Sequence, residues 1–212
     1  MNFDSHRLDD IKGFMDPEEA AHLHRLALAA APLGPCLEIG SYCGKSAVCL
    51  GTACKESGGI LFSIDHHRGS EEQQPGEEYF DPALYDFSGG RVNTLPRFLA
   101  TLEKFGLTET VVPIVSASAV AARSWATPLA LVFIDGGHSL ETATRDYRCW
   151  SGHIMTGGFL LIHDIFENPA EGGQAPYEVY KTALASGLFT PHSRVKTLGV
   201  LQRTKPGHQP AL

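Results

Sequence analysis

Short apolar runs alternate with segments of helical spacing along most of this chain. The apolar runs lie at residues 36–39, 60–64, 111–115, 129–134 and 159–162. Strands that alternate with helices are joined by crossovers and run parallel, and helices then cover both faces of the sheet. The alternation therefore predicts an α/β fold with five parallel strands.

The N-terminal part of the chain predicts a helix before the first strand. Asp16 precedes a proline and two glutamates. An N-cap residue, a proline at the first helical position and acids in the first turn all favour a helix start. We expect a helix over residues 17–30, within an N-terminal helical segment that spans 1–33.

The C-terminal part departs from the alternation. After an expected helix over 176–186, the apolar runs 188–195 and 198–203 are separated by two residues, which is too short for a helical crossover. These runs are predicted to pair as an antiparallel hairpin. The tail at 204–212 is expected to be flexible.

Composition limits the kinds of partner that the chain can have. Seventeen basic against 24 acidic residues give the 212-residue chain a net charge of −7, which repels the phosphates of nucleic acids. With 43% hydrophobic residues, we expect one core and a single domain over 1–212. The N-terminal sequence lacks signal-peptide features, the apolar runs are too short to span a bilayer, and the five cysteines form no C-x-x-C pair. We therefore expect a cytoplasmic protein that binds neither nucleic acid nor membranes.

A glycine-rich turn follows the first predicted strand, in the sequence LEIGSYCGKSAV at 37–48. Gly44 is followed by lysine and serine, as in a phosphate-binding P-loop. A P-loop needs another glycine where this chain has Ile39, and Gly40 leaves the loop one residue short. The dinucleotide fingerprint G-x-G-x-x-G is also missing. The turn is therefore not expected to hold phosphate.

Two acids next to this turn indicate a ligand with a positive charge and hydroxyl groups. Glu38 stands at the entrance of the turn, where it can face a cationic ammonium group, and glycine lets a backbone approach closely. Asp65 ends the next strand, and its carboxylate can accept hydrogen bonds from the hydroxyls of a ribose. An adenosyl amino acid has both features. The alternatives are an ordinary strand-to-helix turn and a helix-capping or loop carboxylate at Asp65.

From residue 36 to 203 the sequence resembles the class I S-adenosylmethionine-dependent methyltransferases. The glycine turn matches their first motif, Asp65 the second, and residues 116–118 the segment that contacts adenine, although these residues could also only cap a helix over 119–125. The resemblance implies a Rossmann-like fold: a mostly parallel seven-stranded sheet with a C-terminal antiparallel hairpin and helices on both faces. It also implies S-adenosylmethionine as the cofactor. The implied cofactor residues are Glu38, Gly40, Ser41, Gly44, Ser46, Asp65, His66, Ala117, Ser118 and Asp135.

Asp135 and Asp164 end two neighbouring predicted strands. Ligands collect beyond this edge of an open α/β sheet, and adjacent strands are about 4.8 Å apart, so both acids can reach one ion. Two hard oxygen ligands with open positions favour Mg²⁺. Alternatively, one of these acids caps the following helix.

His138 follows Asp135 after two glycines, and we predict that it is the catalytic base. Methyl transfer to an alcohol requires the removal of a reluctant proton, and a histidine near that oxygen, helped by a cation, can accept it. The glycines clear space around the imidazole. A purely structural histidine is the alternative.

Asp135 and His138 also resemble the metal-ligand and base pair of bacterial sugar O-methyltransferases, the macrolide-sugar and cephalosporin hydroxylase-like group. Those proteins carry two adjacent acids at the end of the next strand, where this chain has His163 and Asp164. Either His163 is an unusual third ligand, or the metal has fewer protein ligands and binds more weakly, or it is absent. Consecutive strand residues point to opposite faces, which argues against His163 lying beside Asp164.

The connection at 66–90 is long for a compact α/β protein and is predicted to form a lid or a substrate loop. It is rich in acids and aromatic residues and contains one arginine, a surface that suits a neutral, polyhydroxylated acceptor. The irregular stretch 166–175 could complete the pocket. The alternative is a disordered or dimer-forming acidic loop. The predicted substrate residues are His67, Arg68, Glu71 and Tyr79.

The start of this connection is similar to mycobacterial O-methyltransferases of methylmannose polysaccharide synthesis, which implies an oligomannoside acceptor and a homodimer. We therefore predict an S-adenosylmethionine-dependent O-methyltransferase for a sugar or oligosaccharide hydroxyl, with Asp135 and Asp164 holding the metal and His138 as general base. The rival hypotheses are a nucleotide hydrolase that uses Lys45 and Ser46, and a non-catalytic module that binds an adenosyl ligand.

Overall fold

The computed structural model describes residues 8–206. Most of the tail predicted at 204–212 and the first seven residues of the segment 1–33 lie outside that range. The six helices are α1 (Pro17–Ala30), α2 (Lys45–Glu56), α3 (Leu95–Lys104), α4 (Ser118–Ala122), α5 (Leu140–Trp150) and α6 (Ala175–Ala185). The strands are β1 (Cys36–Ile39), β2 (Leu61–Asp65), β3 (Tyr85–Asp86), β4 (Arg91–Val92), β5 (Val111–Val115), β6 (Leu129–Ile134), β7 (Ile154–Ile162), β8 (Phe189–Val195) and β9 (Leu198–Arg203).

Seven strands form one sheet in the order β5-β2-β1-β6-β7-β9-β8. The first five pair in parallel, whereas β9 pairs antiparallel with both β7 and β8. The predicted Rossmann-like fold with its C-terminal hairpin is therefore confirmed. From β1 the chain crosses to β2 and β5 on one side, and from β6 it crosses to β7 on the other side, so the strand order reverses between β1 and β6. In such sheets the crevice at the carboxyl ends of these two strands is the usual binding site.

Helices cover both faces of the sheet. On one face, α1, α2 and α3 pack against it through residues such as Leu23, Leu50 and Phe98. On the other face, α4, α5 and α6 pack through residues such as Trp150 and Val179. All six residues of β6 are buried, as expected for a central strand that is covered on both sides.

The bounds of α1 are those predicted from the sequence. Asp16 is the N-cap, and its carboxylate accepts a hydrogen bond from the Glu18 backbone N–H at 2.8 Å, with proline at the first helical position. Glu19 is buried within this helix. The helix end at Ala30 precedes β1 by five residues.

Two segments differ from the prediction. Strand β7 begins at Ile154, five residues before the predicted start at 159, and its register against β6 shifts between Leu129 and Leu131. After the connection predicted at 66–90 the next helix begins only at Leu95, because Arg91–Val92 pairs with Tyr85–Asp86 as a small second sheet. The long connection is therefore built from this hairpin and two short 3-10 turns.

Two expectations concern the whole set of described residues. Across residues 8–206, none of the helices combines the length and apolar character that crossing a bilayer requires. All five cysteines are buried as free thiols, as their apolar surroundings predict.

Candidate active site

A cleft of about 960 Å³ opens at the carboxyl ends of the parallel strands. It is lined by the turn after β1, the end of β2 and the ends of β6 and β7, and the long connection and residues 12–15 form further parts of its wall. The predicted ligand residues at four strand ends thus face one space. These four are Gly40, Asp65, Asp135 and Asp164.

Gly40 is the point where the turn after β1 touches β6. Its φ is +88°, and a Cβ atom on it would lie 2.1 Å from the backbone oxygen of Asp135. The Asp135 N–H in turn donates to the Ile39 carbonyl at 2.9 Å. Only glycine satisfies both the left-handed backbone and this contact.

Gly44 shapes the turn without lining the cleft. It is the N-cap of α2, with a φ of +94°, and a Cβ atom on it would lie 3.2 Å from Phe98 and Thr101. Lys45 and Ser46 form the first helical turn and line the cleft. The role of Gly44 is therefore the helix start, and direct ligand contact is left to its neighbours.

Asp65 organises the loops around the cleft. Its Oδ2 accepts hydrogen bonds from the backbone N–H groups of Ser41 (3.1 Å) and Tyr42 (2.9 Å), and its Oδ1 accepts one from His67 (2.7 Å). Tyr42 and His67 have positive φ angles of 46° and 58°, so these bonds hold two unusual turns. Asp65 also lines the cleft, and a carboxylate has about four lone-pair sites, which leaves it able to accept from a ligand.

The prediction that Glu38 faces a bound cation is wrong. Glu38 is fully buried and does not line the cleft. Its Oε2 accepts from the Ser46 hydroxyl at 2.8 Å and its Oε1 from the Ser63 hydroxyl at 2.6 Å. Burial raises the pKa of Glu38 to about 7, in spite of these two hydrogen bonds. Glu38 lies on a strand that is covered on both faces, so its side chain points into the protein and reaches the cleft only through Ser46.

The segment that was predicted to contact adenine also lines the cleft. Ser116, Ala117 and Ser118 all line it, and Ala117 is also the N-cap of α4. The Ser118 hydroxyl accepts from the Trp150 indole N–H at 2.7 Å and hydrogen-bonds to Asp146. Ala117 thus caps a helix that ends at Ala122 and not at the predicted residue 125, and the contact of this segment with adenine stays a prediction.

Sequence reasoning missed Asp146. It is 3% exposed, lines the cleft and lies on α5. Burial raises the pKa of its carboxyl, partly offset by Ser118. A signal for it exists in the sequence, because Asp146 lies on the same helix face as the buried Ala143, Tyr147 and Trp150, and an acid on a buried face needs a partner.

His138 lies between two carboxylates. Its Nε2 is 3.1 Å from Asp164 Oδ2, and its Nδ1 is 3.0 Å from Glu72 Oε2. The hydrogen bond to Asp164, and then Glu72, raise the pKa of His138 to about 9 against the effect of burial. Burial alone would raise the pKa of Asp164, but its bonds to His138 and His163 outweigh burial and hold that pKa well below its usual range.

His163 does lie beside Asp164, and the expectation from strand alternation is wrong. Strand β7 ends at Ile162, and Asp164 has a φ of +57°. The left-handed turn brings both side chains to the same side. His163 Nδ1 is consequently 3.1 Å from Asp135 Oδ1 and 3.4 Å from Asp164 Oδ2.

Three residues are placed so that they could hold a metal ion. Among the described residues, ligand atoms of Asp135, His138 and Asp164 lie within 4.8 Å of one another. Two carboxylate oxygens and one imidazole suit a divalent cation of the Mg²⁺ or Mn²⁺ type. His163 is not part of this group; its Nδ1 faces Asp135 and its Nε2 faces Glu19 at 3.0 Å. The structure therefore places the predicted base, His138, among the possible metal ligands.

The predicted substrate residues divide into two pairs. Glu71 and Tyr79 line the cleft. His67 does not: it is 3% exposed, its Nδ1 bonds to the Thr94 hydroxyl at 2.7 Å, and its ring packs on Phe98. Arg68 is exposed and also lies outside the cleft wall. His67 and Arg68 lie outside the cleft because the backbone turns at His67, whereas the preceding residue, His66, lines the cleft.

The segment before α1 supplies a wall that the sequence did not reveal. Lys12, Gly13, Phe14 and Met15 line the cleft. Phe14 is 66% exposed and packs edge-on against Tyr79 with ring centroids 5.4 Å apart, and Lys12 pairs with Asp81 of the long connection. The stretch 166–175 adds Phe166 and residues 171–173 to the cleft, as predicted.

Comparison with known proteins adds family information to this geometry. A family model described as "Methyltransferase domain" matches residues 37–165. The O-methyltransferase TomG from Streptomyces achromogenes, involved in tomaymycin synthesis and solved with SAM, is 16% identical with a TM-score of 0.62 over 95% of this chain and 86% of its own. Cofactor-bound Rv0187 from MTB is 16% identical with a TM-score of 0.63 over 94% and 85%. The O-methyltransferase NovP is 13% identical with a TM-score of 0.66 over 89% and 81%. At these identities the structures establish similarity of fold.

Proposed function

This chain belongs to a family of methyltransferase domains, and from that membership we propose that it is an S-adenosylmethionine-dependent O-methyltransferase with a carbohydrate hydroxyl as acceptor. The observation that carries the proposal is one cleft that joins the glycine turn after β1 to the ionisable cluster around His138. A cofactor end and a proton-accepting end of the same space are what methyl transfer to an alcohol requires.

The residues of the turn fit an adenosyl amino acid. The cleft-lining residues that would hold it are Gly40, Ser41, Ser46, Asp65, His66, Ala117, Ser118 and Asp146. The Ser41 hydroxyl is buried without a hydrogen-bond partner among the described residues, so it has an unused donor for a polar ligand group. When bound, S-adenosylmethionine supplies a methyl group that is activated by the positive sulfonium.

The cluster around His138 fits a divalent cation as well as proton transfer. Asp135 and Asp164 would hold Mg²⁺, which when bound favours ionisation of a coordinated hydroxyl. His138 accepts the proton of the acceptor, and Glu72, which faces its Nδ1, stabilises the imidazolium that forms. Only an unprotonated imidazole can accept a proton, and the bond to Asp164 favours the protonated form. A cation held by Asp164 would remove that bond and leave His138 free to act as the base.

The mouth of the cleft supports a neutral, polyhydroxylated acceptor. Carboxylates of Glu71, Glu72 and Glu171 line the cleft together with the rings of Phe14 and Tyr79. Sugar hydroxyls donate to carboxylates, and the apolar faces of sugar rings lie on aromatic rings. The same surface repels a phosphorylated acceptor.

The sequence IDHHRGSEEQQPG at 64–76 resembles the mycobacterial methylmannose polysaccharide 1-O-methyltransferase. That resemblance supports an oligomannoside that is already partly methylated as the acceptor, with its 1-hydroxyl as the methylated position, and a homodimer as the assembly. The dimer, the single-domain organisation and the cytoplasmic location stay predictions. Light scattering on the purified chain tests the dimer directly.

Calorimetry and mass spectrometry together test the proposed function. We expect S-adenosylhomocysteine to bind and ATP not to bind, and we expect an oligomannoside incubated with S-adenosylmethionine to gain the mass of one methyl group. Binding of ATP alone would support a nucleotide hydrolase that uses Lys45 and Ser46. Binding of S-adenosylhomocysteine without methylation of any glycoside, catechol or small acid would support a non-catalytic module.

A further inference from the structure

A buried chain of three ionisable residues runs from α1 to the edge of the cleft. Glu19 is 2% exposed and His163 is 6% exposed. Glu19 Oε2 lies 3.0 Å from His163 Nε2, and His163 Nδ1 lies 3.1 Å from Asp135 Oδ1. Both imidazole nitrogens therefore face carboxylates, and the ring is fixed at its two ends.

Glu19 is itself anchored from the other side. Its Oε1 accepts hydrogen bonds from the Thr197 N–H (2.8 Å), the Thr197 hydroxyl (2.8 Å) and the Leu198 N–H (3.2 Å). These donors lie in the turn between β8 and β9 and at the start of β9. These three bonds and the contact with His163 fix the Glu19 carboxylate. Its Oε2 therefore stays in one position opposite His163 Nε2.

We infer that Glu19, acting through His163, is a positioning residue that orients the Asp135 carboxylate toward a divalent cation. The inference rests on the proposed function, because the cation site is part of that proposal. A ligating carboxylate that is hydrogen-bonded from behind keeps one orientation, and such outer contacts strongly affect metal affinity. His163 alone cannot supply this, since its ring can rotate unless its second nitrogen is held.

The position of Glu19 argues for this role over simple packing. It lies on the buried face of α1 beside apolar residues such as Leu23, where a hydrophobic side chain of similar volume generally packs at least as favourably as a buried ion pair. The neighbouring Glu18 is exposed, and its carboxylate pairs with Lys196 at 3.5 Å. A comparison of Glu19→Gln with Glu18→Gln therefore separates an effect on the cation site from a general effect on helix α1.

The test uses the full chain and two calorimetric titrations, with Mn²⁺ and with S-adenosylhomocysteine. We expect Glu19→Gln and His163→Gln to weaken Mn²⁺ binding about 10- to 100-fold, with S-adenosylhomocysteine affinity within about twofold of wild type because the adenosyl side does not contact these residues. Glu18→Gln is the matched control and should change neither affinity. His163→Asn keeps an amide donor near the Nδ1 position but gives up the bond to Glu19, so we expect it to lose about as much Mn²⁺ affinity as Glu19→Gln.

The outcomes separate this inference from the proposed function. Unchanged Mn²⁺ affinity in folded Glu19→Gln overturns the inference, and so does an equal loss of both ligands, which indicates a structural role. Wild-type protein that binds S-adenosylhomocysteine and no Mn²⁺ overturns the inference and the proposed cation site, and leaves the proposed methyl transfer standing. Wild-type protein that fails to bind S-adenosylhomocysteine overturns the proposed function. If Glu19→Gln does not fold, His163→Asn decides: wild-type Mn²⁺ affinity in this variant, which keeps a donor to Asp135 without the bond to Glu19, overturns the inference.

Discussion

The two halves of the cleft use their carboxylates in opposite ways. On the side of β1 and β2, Glu38 bonds to serine hydroxyls and Asp65 to backbone N–H groups. On the side of β6 and β7, Asp135 and Asp164 face the imidazoles of His163 and His138. Acids at the same edge of one sheet therefore serve as a rigid frame in one half and as a charged, exchangeable cluster in the other.

The two sides differ in how readily their polar groups can change protonation or partner. The serine hydroxyl and backbone N–H donors of the frame keep their protons near neutral pH, and its buried acid Glu38 has a pKa raised to about 7. The cluster consists of groups that can exchange partners among themselves or with a cation. The turn and the cluster touch at Gly40, whose Cα lies against the Asp135 carbonyl.

The largest effect is expected from His138→Ala in the cluster. Turnover of an oligomannoside should fall about 10²- to 10⁴-fold, because the variant lacks the imidazole that takes the proton in the proposed mechanism. S-adenosylhomocysteine affinity should stay within about twofold, since the frame is unchanged. His22→Ala, on α1 beside Ser193, is the control. Surviving turnover would refute the assignment of His138 as the base. Loss of S-adenosylhomocysteine binding would show that the two halves of the cleft do not act independently.

The next effect concerns the point where the two halves meet. Gly40→Ala should lower the free energy of unfolding by about 4 kcal/mol, from the left-handed backbone and from the clash with the Asp135 carbonyl. Gly58→Ala is the matched control: its φ is +69° and no described atom lies within 4 Å of the added Cβ, so it should cost about 1 kcal/mol. Urea unfolding measures both. Equal losses would show that the contact at Gly40 contributes nothing.

The frame should also show a dependence on pH through Glu38. Its pKa is raised to about 7 by burial, so between pH 4.5 and 7 the folded protein binds a proton that the unfolded chain has released. Stability from this group is therefore present at low pH and falls by about 3 kcal/mol as pH rises to 7. Glu38→Gln lacks this term, so its stability relative to wild type should increase by that amount between pH 4.5 and 8. Parallel stability curves would contradict the pKa shift.

The smallest of these effects is expected from Asp65→Asn. The amide keeps one acceptor but turns N–H groups toward backbone N–H donors, so the turns at Tyr42 and His67 loosen. S-adenosylhomocysteine affinity should fall about tenfold, with Mn²⁺ binding unchanged. Asp86→Asn is the control, because Asp86 holds an exposed turn through Ser88 and Gly89. An effect of Asp65→Asn on Mn²⁺ binding would show that the two halves are coupled.

Much of the fold could be predicted because its signals are local. The helix 17–30 follows from its capping residues, and the strand-ending residues Asp65 and Asp135 follow from the apolar runs before them. The hairpin at the C-terminus follows from a connection too short for a helix. The small sheet of β3 and β4 was not predicted, because two-residue strands carry no periodic signal.

The candidate site could be predicted only as far as the strand ends. That Gly40, Asp65, Asp135 and Asp164 share one cleft follows from parallel strands having a common carboxyl edge. The directions of the side chains did not follow. Glu38 points inward, and His67 turns away from the cleft at a positive φ angle.

The sequence by itself determined which residues reach the carboxyl edge of the sheet, because strand order, turn glycines and helix caps depend on neighbours in the chain. Only the tertiary structure decided which residue faces which. His138 meets Glu72 across 66 positions, and His163 meets Glu19 across 144. Such pairs depend on how separate elements pack and on backbone turns such as the one at Asp164, and neither leaves a pattern in the order of residues.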